Sequence, residues 1–219
     1  MIKLRVTILI VSIMVLRGMA VGQSAPASLD DQMFQAIEKG DFATVTQLVD
    51  QGAHINAQGK DGITALIAAS AMGKTDVVKL LLAKGANTDL QDSRGDTALN
   101  YAVMTSNLEE ATLLLQKGAN VNIQESGGLS PLMLGVVSGS IDLLKLLLDH
   151  GAKTELRDSH GHTALIGASG GGFIDMVMVL LDRGANINAK SDDGTTALKL
   201  AVNNGKTEVA ALLRAKGAQ

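Results

Sequence analysis

The sequence has no cysteine and no tryptophan, and only one tyrosine, three phenylalanines and two prolines. Without cysteine there is no disulfide framework, no thiol nucleophile and no thiolate-held zinc. With aromatics confined to Phe34, Phe42, Phe173 and Tyr101, an interior has to be assembled from Ala, Leu, Val, Ile and Met. That palette suits thin, closely stacked helices. A strong excess of one charge is also lacking, the formal net charge being −3. Lys3, Arg5 and Arg17 lie within residues 1–22, which hold no acid, so the other 16 basic residues stand against all 22 acids. A mildly acidic chain without a basic stripe argues against nucleic acid as a partner, because that binding depends on neutralising phosphates. The apolar run Val6–Leu16 is too short to span a bilayer, which takes about 20 residues.

What the chain has in plenty is repetition. Thr64-Ala65-Leu66 returns as Thr97-Ala98-Leu99, Ser130-Pro131-Leu132, Thr163-Ala164-Leu165 and Thr196-Ala197-Leu198, a constant step of 33 residues. Gly-Ala pairs begin at Gly52, Gly85, Gly118, Gly151, Gly184 and Gly217 with the same step. Self-similarity at this period predicts a stack of identical supersecondary units, each packed on its neighbours around a linear core.

Met1–Gln23 stands outside the repeat. Lys3 and Arg5 precede Val6–Leu16, and small residues follow at Gly18, Ala20 and Gly22. This is the layout of a secretory signal peptide over residues 1–22, with cleavage expected after Ala20 or Gly22; an uncleaved membrane anchor is the alternative. Residues 23–28, with Pro26, read as a linker, and 29–219 as one repeat domain of about six repeats, the terminal ones partial. The absence of Cys and of any Asn-x-Ser/Thr sequon points to a bacterial periplasm, with secretion or anchoring as the other routes.

Each full repeat reads as two antiparallel helices and a polar turn. Thr64, Thr97, Ser130, Thr163 and Thr196 stand where a helix N-cap belongs. The second helix opens on Asp76, Glu109, Asp142, Asp175 or Glu208 and closes on Lys84, Lys117, His150, Arg183 or Lys216, both of which suit the helix dipole. The next glycine supplies a left-handed C-cap. Leu29–Ala53 is a shortened first repeat, with Met33, Phe34 and Ile37, then Val45, Leu48 and Val49, at helical spacing around Gly40.

Thr/Ser-Ala/Pro-Leu at the first helix, the leucine-rich second helix and Gly-Ala-Asn-x-Asn at Gly184–Asn188 resemble ankyrin repeats over residues 29–219. The resemblance implies an all-α fold: an ankyrin-repeat solenoid of helix-turn-helix units with protruding β-hairpin loops. It departs from the family pattern in three ways. The histidine usual after Thr-Pro-Leu is replaced at Ile67, Asn100, Met133, Ile166 and Lys199; Ser106 replaces an interhelical glycine; and Glu110 stands where Val77, Leu143, Met176 and Val209 are apolar.

No constellation for chemistry emerges. Gly167–Gly172 looks like a phosphate cradle but lacks the closing Lys-Ser/Thr and a preceding strand. There is no Gly-x-Ser-x-Gly elbow. His160-Gly161-His162 beside Asp158 could ligate a metal, but in the repeat these are turn positions that vary freely, and fewer than the usual three to four ligands are in view. The reading is therefore a non-enzymatic protein without cofactor or metal, monomeric, and free of the membrane once its signal is removed.

The resemblance implies a concave face made of hairpin tips and the exposed sides of the first helices, with another protein as the partner. The varying residues there are Ile63, Met72, Arg94, Asp96, Met104, Leu129, Val137, His160, His162 and Asp193. Ile63, Met72, Met104, Leu129 and Val137 would form an apolar strip rimmed by charge, the composition of a protein interface. A regulator or protector of an exported enzyme is a second reading. A metal- or small-ligand-binding protein built on His160 and His162 is a third.

Overall fold

A computed structural model describes residues 28–219, so the expected signal segment and most of the linker lie outside the described residues. The described residues fall into two compact units, one ending at Asn120 and the other spanning Val121–Gln219. In the first are α1 (Leu29–Lys39), α2 (Phe42–Asp50), α3 (Ala65–Ala71), α4 (Thr75–Ala83), α5 (Ala98–Met104) and α6 (Leu108–Gln116). In the second are α7 (Pro131–Ser138), α8 (Ile141–Asp149), α9 (Ala164–Gly171), α10 (Ile174–Asp182), α11 (Ala197–Asn203) and α12 (Thr207–Ala215). No helix among the described residues is long and apolar enough to cross a membrane.

The first helices of the five full repeats start as their sequence predicts. Thr64, Thr97, Ser130, Thr163 and Thr196 accept hydrogen bonds from the backbone N–H groups of Ile67, Asn100, Met133, Ile166 and Lys199. Ser28, placed with the linker in the sequence, caps α1 through a reciprocal pair with Asp31. The turn between paired helices needs a left-handed residue. Gly73 and Gly139 supply it at φ +63° and +75°, and Ser106 takes the same conformation at +58° without glycine's freedom.

Within each unit the first helices stack in chain order, α1 on α3 on α5 and α7 on α9 on α11, and the second helices form a parallel row. Tyr101, Leu66, Leu81 and Leu99 are fully buried in the first unit; Leu132, Leu134 and Leu143 are in the second. A second device ties consecutive repeats together. The side chains of Asn56 and Asp89 accept from the backbone N–H of Asn87 and Asn120, each at 2.8 Å. Asn122, Glu155 and Asn188 do the same for Lys153, Asn186 and Gln219, each at 2.9 Å.

The loops between helix pairs are turns, not strand ladders. Among the described residues the only bridge is an isolated antiparallel one, Gln58 to Thr64. Each loop is closed by two backbone bonds, as from Asp92 N–H to the Asp96 carbonyl (3.0 Å) and Gly95 N–H to the Asp92 carbonyl (2.9 Å), and from Asp158 N–H to the His162 carbonyl (3.0 Å) and Gly161 N–H to the Asp158 carbonyl (2.9 Å). In these two loops a carboxylate oxygen adds a brace. Asp92 Oδ1 accepts from Arg94 and Asp96 N–H, and Asp158 Oδ1 from His160 and His162 N–H. The loop is too short for extended pairing, so the carboxylate supplies the bonds a longer strand would make.

Glu110 is the one departure in the second helices with an energetic consequence. It is fully buried, with Oε1 accepting from the Thr75 hydroxyl at 2.8 Å and Oε2 bonded to no described residue. Burial pushes its carboxyl up to about 7, against the opposing Thr75 bond. The folded state thus holds a proton that the unfolded chain releases near pH 4.5, so stability is fullest below that and is lost as pH rises through about 7. We expect urea titrations of the wild-type chain to lose about 2–3 kcal/mol between pH 4.5 and 8 from this group. Glu110→Leu, which restores the apolar residue of the other repeats, should flatten that dependence and be more stable at pH 8. An unchanged slope in the variant would show that Glu110 is not its source.

Candidate functional site

A departure from a filled repeat lies in the second unit. At one helical position the repeats carry Ala68, Tyr101, Leu134, Gly167 and Leu200. Tyr101 and Leu134 are fully buried, whereas Gly167 brings no side chain to its layer. A Cβ built there would touch only Val136, at an ordinary 3.9 Å. The result is a cavity of about 360 Å³ between the first helices α7, α9 and α11. Met133, Val136, Ala164 and Ile166 form its buried floor, Leu129, Val137, Phe173 and Leu200 its walls, and Asp158, His162 and Thr163 one polar edge.

The glycines of α9 serve this packing. Leu200 comes within 2.6 Å of where a Cβ on Gly170 would stand, and Phe173 within 2.5 Å for Gly171. The run Gly167–Gly172 is an ordinary α-helical segment and its cap, not a phosphate loop. Phe173 occupies the N-cap place of α10, which is polar in the other full repeats (Lys74, Asn107, Ser140, Lys206), and it is 39% exposed.

The polar edge is ordered and charged. Burial works against the Asp158 carboxylate, but the N–H groups of His162 and His160, at 2.8 and 2.9 Å, outweigh it and hold the group below the usual carboxylate range. Its Oδ2 lies 3.3 Å from His162 Nδ1, and the rings of His160 and His162 stack with centroids 5.9 Å apart. Asp193, on the next loop, is exposed and bonded by the Ser191 hydroxyl (2.6 Å) and by Thr195, which lowers it to about 2.

The family model for ankyrin repeats matches the chain in three overlapping copies, over residues 33–125, 84–158 and 132–219. The chain belongs to the ankyrin-repeat family. Ankyrin repeats generally mediate protein–protein interaction and are typically non-enzymatic. No curated protein matches the chain.

On this ankyrin frame, the ten residues singled out in the sequence separate. Leu129, Val137 and His162 come together at the cavity, with Val137 55% exposed. His160 and Asp193 are exposed on adjacent loops, joined by the bond from Asp192 N–H to the His160 carbonyl. In the first unit the expected apolar strip does not hold. Ile63 and Met104 are each only 6% exposed, because the turn and the end of the first helix fold them into the stack. Asp96, 1% exposed, accepts from Asn100 Nδ2 inside a buried polar cluster and is no contact residue. Arg94 is half-buried and donates to the Tyr101 hydroxyl at 2.6 Å, while Tyr101 donates to Asp92 Oδ2 at 2.8 Å. Met72 is half-buried. Phe173, Leu200 and Gly167, which are not among those ten, complete the cavity.

Asp158 is the brace of its loop, and its replacement should show that. Asp158→Ala removes the acceptor for two N–H groups and should cost about 1–2 kcal/mol in denaturant titration. Asp158→Asn keeps an acceptor oxygen and should cost clearly less. Equal losses would mean that charge rather than bonding matters here.

Proposed function

We propose that this ankyrin-repeat protein is an exported, monomeric, non-enzymatic interaction module that binds a partner protein through the cavity of its second unit. The observation that carries the reading is the missing side chain at Gly167, beside an apolar cavity open between α7, α9 and α11. A cavity of about 360 Å³ suits one large apolar side chain of a partner, and exposed Phe173 and Val137 offer it a rim. The ionised carboxylate of Asp193, exposed on the loop joined to that of His160, favours a basic residue in the partner segment that carries the anchor. Export rests on Lys3, Arg5 and Val6–Leu16 followed by small residues, and the periplasm on the lack of Cys and of sequons. Regulation or protection of an exported enzyme is a special case in which the partner is that enzyme.

Gly167→Leu tests the reading, because it separates stability from binding. The backbone at Gly167 is helical and the cavity has room, so leucine should stabilise the chain, by up to about 1 kcal/mol from helix propensity alone. The same leucine would occupy the partner's seat. We expect the variant to melt at or above the wild-type temperature and to lose the partner that wild type captures from a native periplasmic extract. Undiminished capture by a well-folded Gly167→Leu protein would place the binding surface elsewhere.

A further inference from the structure

We infer that the Asp158–His160–His162 loop is a binding site for a divalent transition metal of the zinc type. Asp158, His160 and His162 each bring one ligand atom to within 4.8 Å of the others. One carboxylate oxygen and two imidazole nitrogens form a borderline donor set that suits zinc and disfavours magnesium, which prefers all-oxygen sites.

One edge of the triangle already has the length it would have in a formed site. Ligands about 2.0–2.1 Å from a tetrahedral zinc stand about 3.3–3.4 Å from one another. Asp158 Oδ2 and His162 Nδ1 are already 3.3 Å apart. A metal between them would replace their hydrogen bond. His160 is exposed, so its ring can turn to close the third edge.

The carboxylate is held in advance. Asp158 Oδ1 is taken up by the two backbone N–H groups, which fixes the side chain and leaves Oδ2 for the ion, an orienting contact of the kind that supports metal ligands. The nearest cation, Arg157, is paired with Asp192 Oδ1 at 2.8 Å, so its charge is met by that partner. The brace recurs elsewhere, since Asp92 makes it too, but the imidazoles do not. The places of His160 and His162 hold Asp61 and Ile63, Arg94 and Asp96, Gly127 and Leu129, and Asp193 and Thr195 elsewhere.

Three protein ligands leave a fourth position open. Asp158 and His162 both line the edge of the apolar cavity, so that position stands at its mouth. There it can take water or a carboxylate or imidazole of whatever enters the cavity. The ion would add a coordination bond to apolar burial in the same site.

The test is zinc chloride titrated calorimetrically into the full chain without an affinity tag, with metal content measured on the dialysed protein. We expect one saturable zinc per chain, unaffected by excess magnesium. His160→Gln and His162→Gln should each weaken it at least about 10-fold, and the double variant should abolish it. His150→Gln, a histidine bonded to the Leu146 carbonyl at the end of α8, should leave binding unchanged. Far-UV circular dichroism verifies that the variants are folded. Absence of saturable zinc binding, its survival in the double variant, or equal competition by magnesium would each overturn the assignment. None of these outcomes depends on a partner protein, so the site and the proposed function stand or fall separately.

Discussion

Every α-helix among the described residues is between seven and eleven residues long, below the length at which a helix holds together alone in water. Each therefore exists because a neighbour covers its apolar face, and the rest of the structure follows from that dependence. The requirement is met by repetition at constant register. A threonine or serine starts each first helix at a fixed place, a left-handed residue turns the chain back, and an Asn, Asp or Glu side chain reaches a backbone N–H of the next repeat. Surface ion pairs such as Lys84–Asp50 and Arg183–Asp149 span similar intervals, but both partners are widely exposed and contribute little. Burial and the periodic backbone bonds hold the stack.

Because the register is so constant, function resides in the exceptions to it. Gly167 is an omission in a packed row, Phe173 an aromatic in a polar capping place, and the imidazole pair a substitution in a loop whose brace is common to other repeats. All three lie in the second unit and border one cavity or its edge. The first unit places its exceptions inside instead. Tyr101, Asp92 and Arg94 form a hydrogen-bonded cluster, and Glu110 is a carboxyl that burial raises to about 7. The same framework thus carries surface chemistry in one unit and internal polarity in the other.

The architecture was legible in the sequence because repetition multiplies weak signals. One Thr-Ala-Leu means little, whereas five at the same step locate every cap and helix pair. The binding surface was harder to read because variability alone does not distinguish an exposed position from a buried one. Ile63, Met104 and Asp96 vary as freely as Val137, yet they vary inward, where each layer has its own volume and hydrogen bonds to satisfy. The cavity was missed for the converse reason. Gly167 reads as a weak helix former, and only the side chains around it reveal that its absence of volume is the feature. The periodic Asn56, Asp89, Asn122, Glu155 and Asn188 bonds were hidden because their chemistry is conserved while the residue type is not.

If register is what specifies the structure, removing one complete period should leave a sequence that still makes sense. Deleting residues 66–98 joins Ala65 to Leu99 and preserves the Thr-Ala-Leu start, the cap and the spacing of every later repeat. The decisive measurement is thermal unfolding of that shortened chain by far-UV circular dichroism. The account predicts a helical spectrum, of similar strength per residue to the full chain, and a cooperative transition. A coil-like spectrum, or a melt without a transition, would contradict it and show that the helices depend on particular neighbours rather than on the repeating frame.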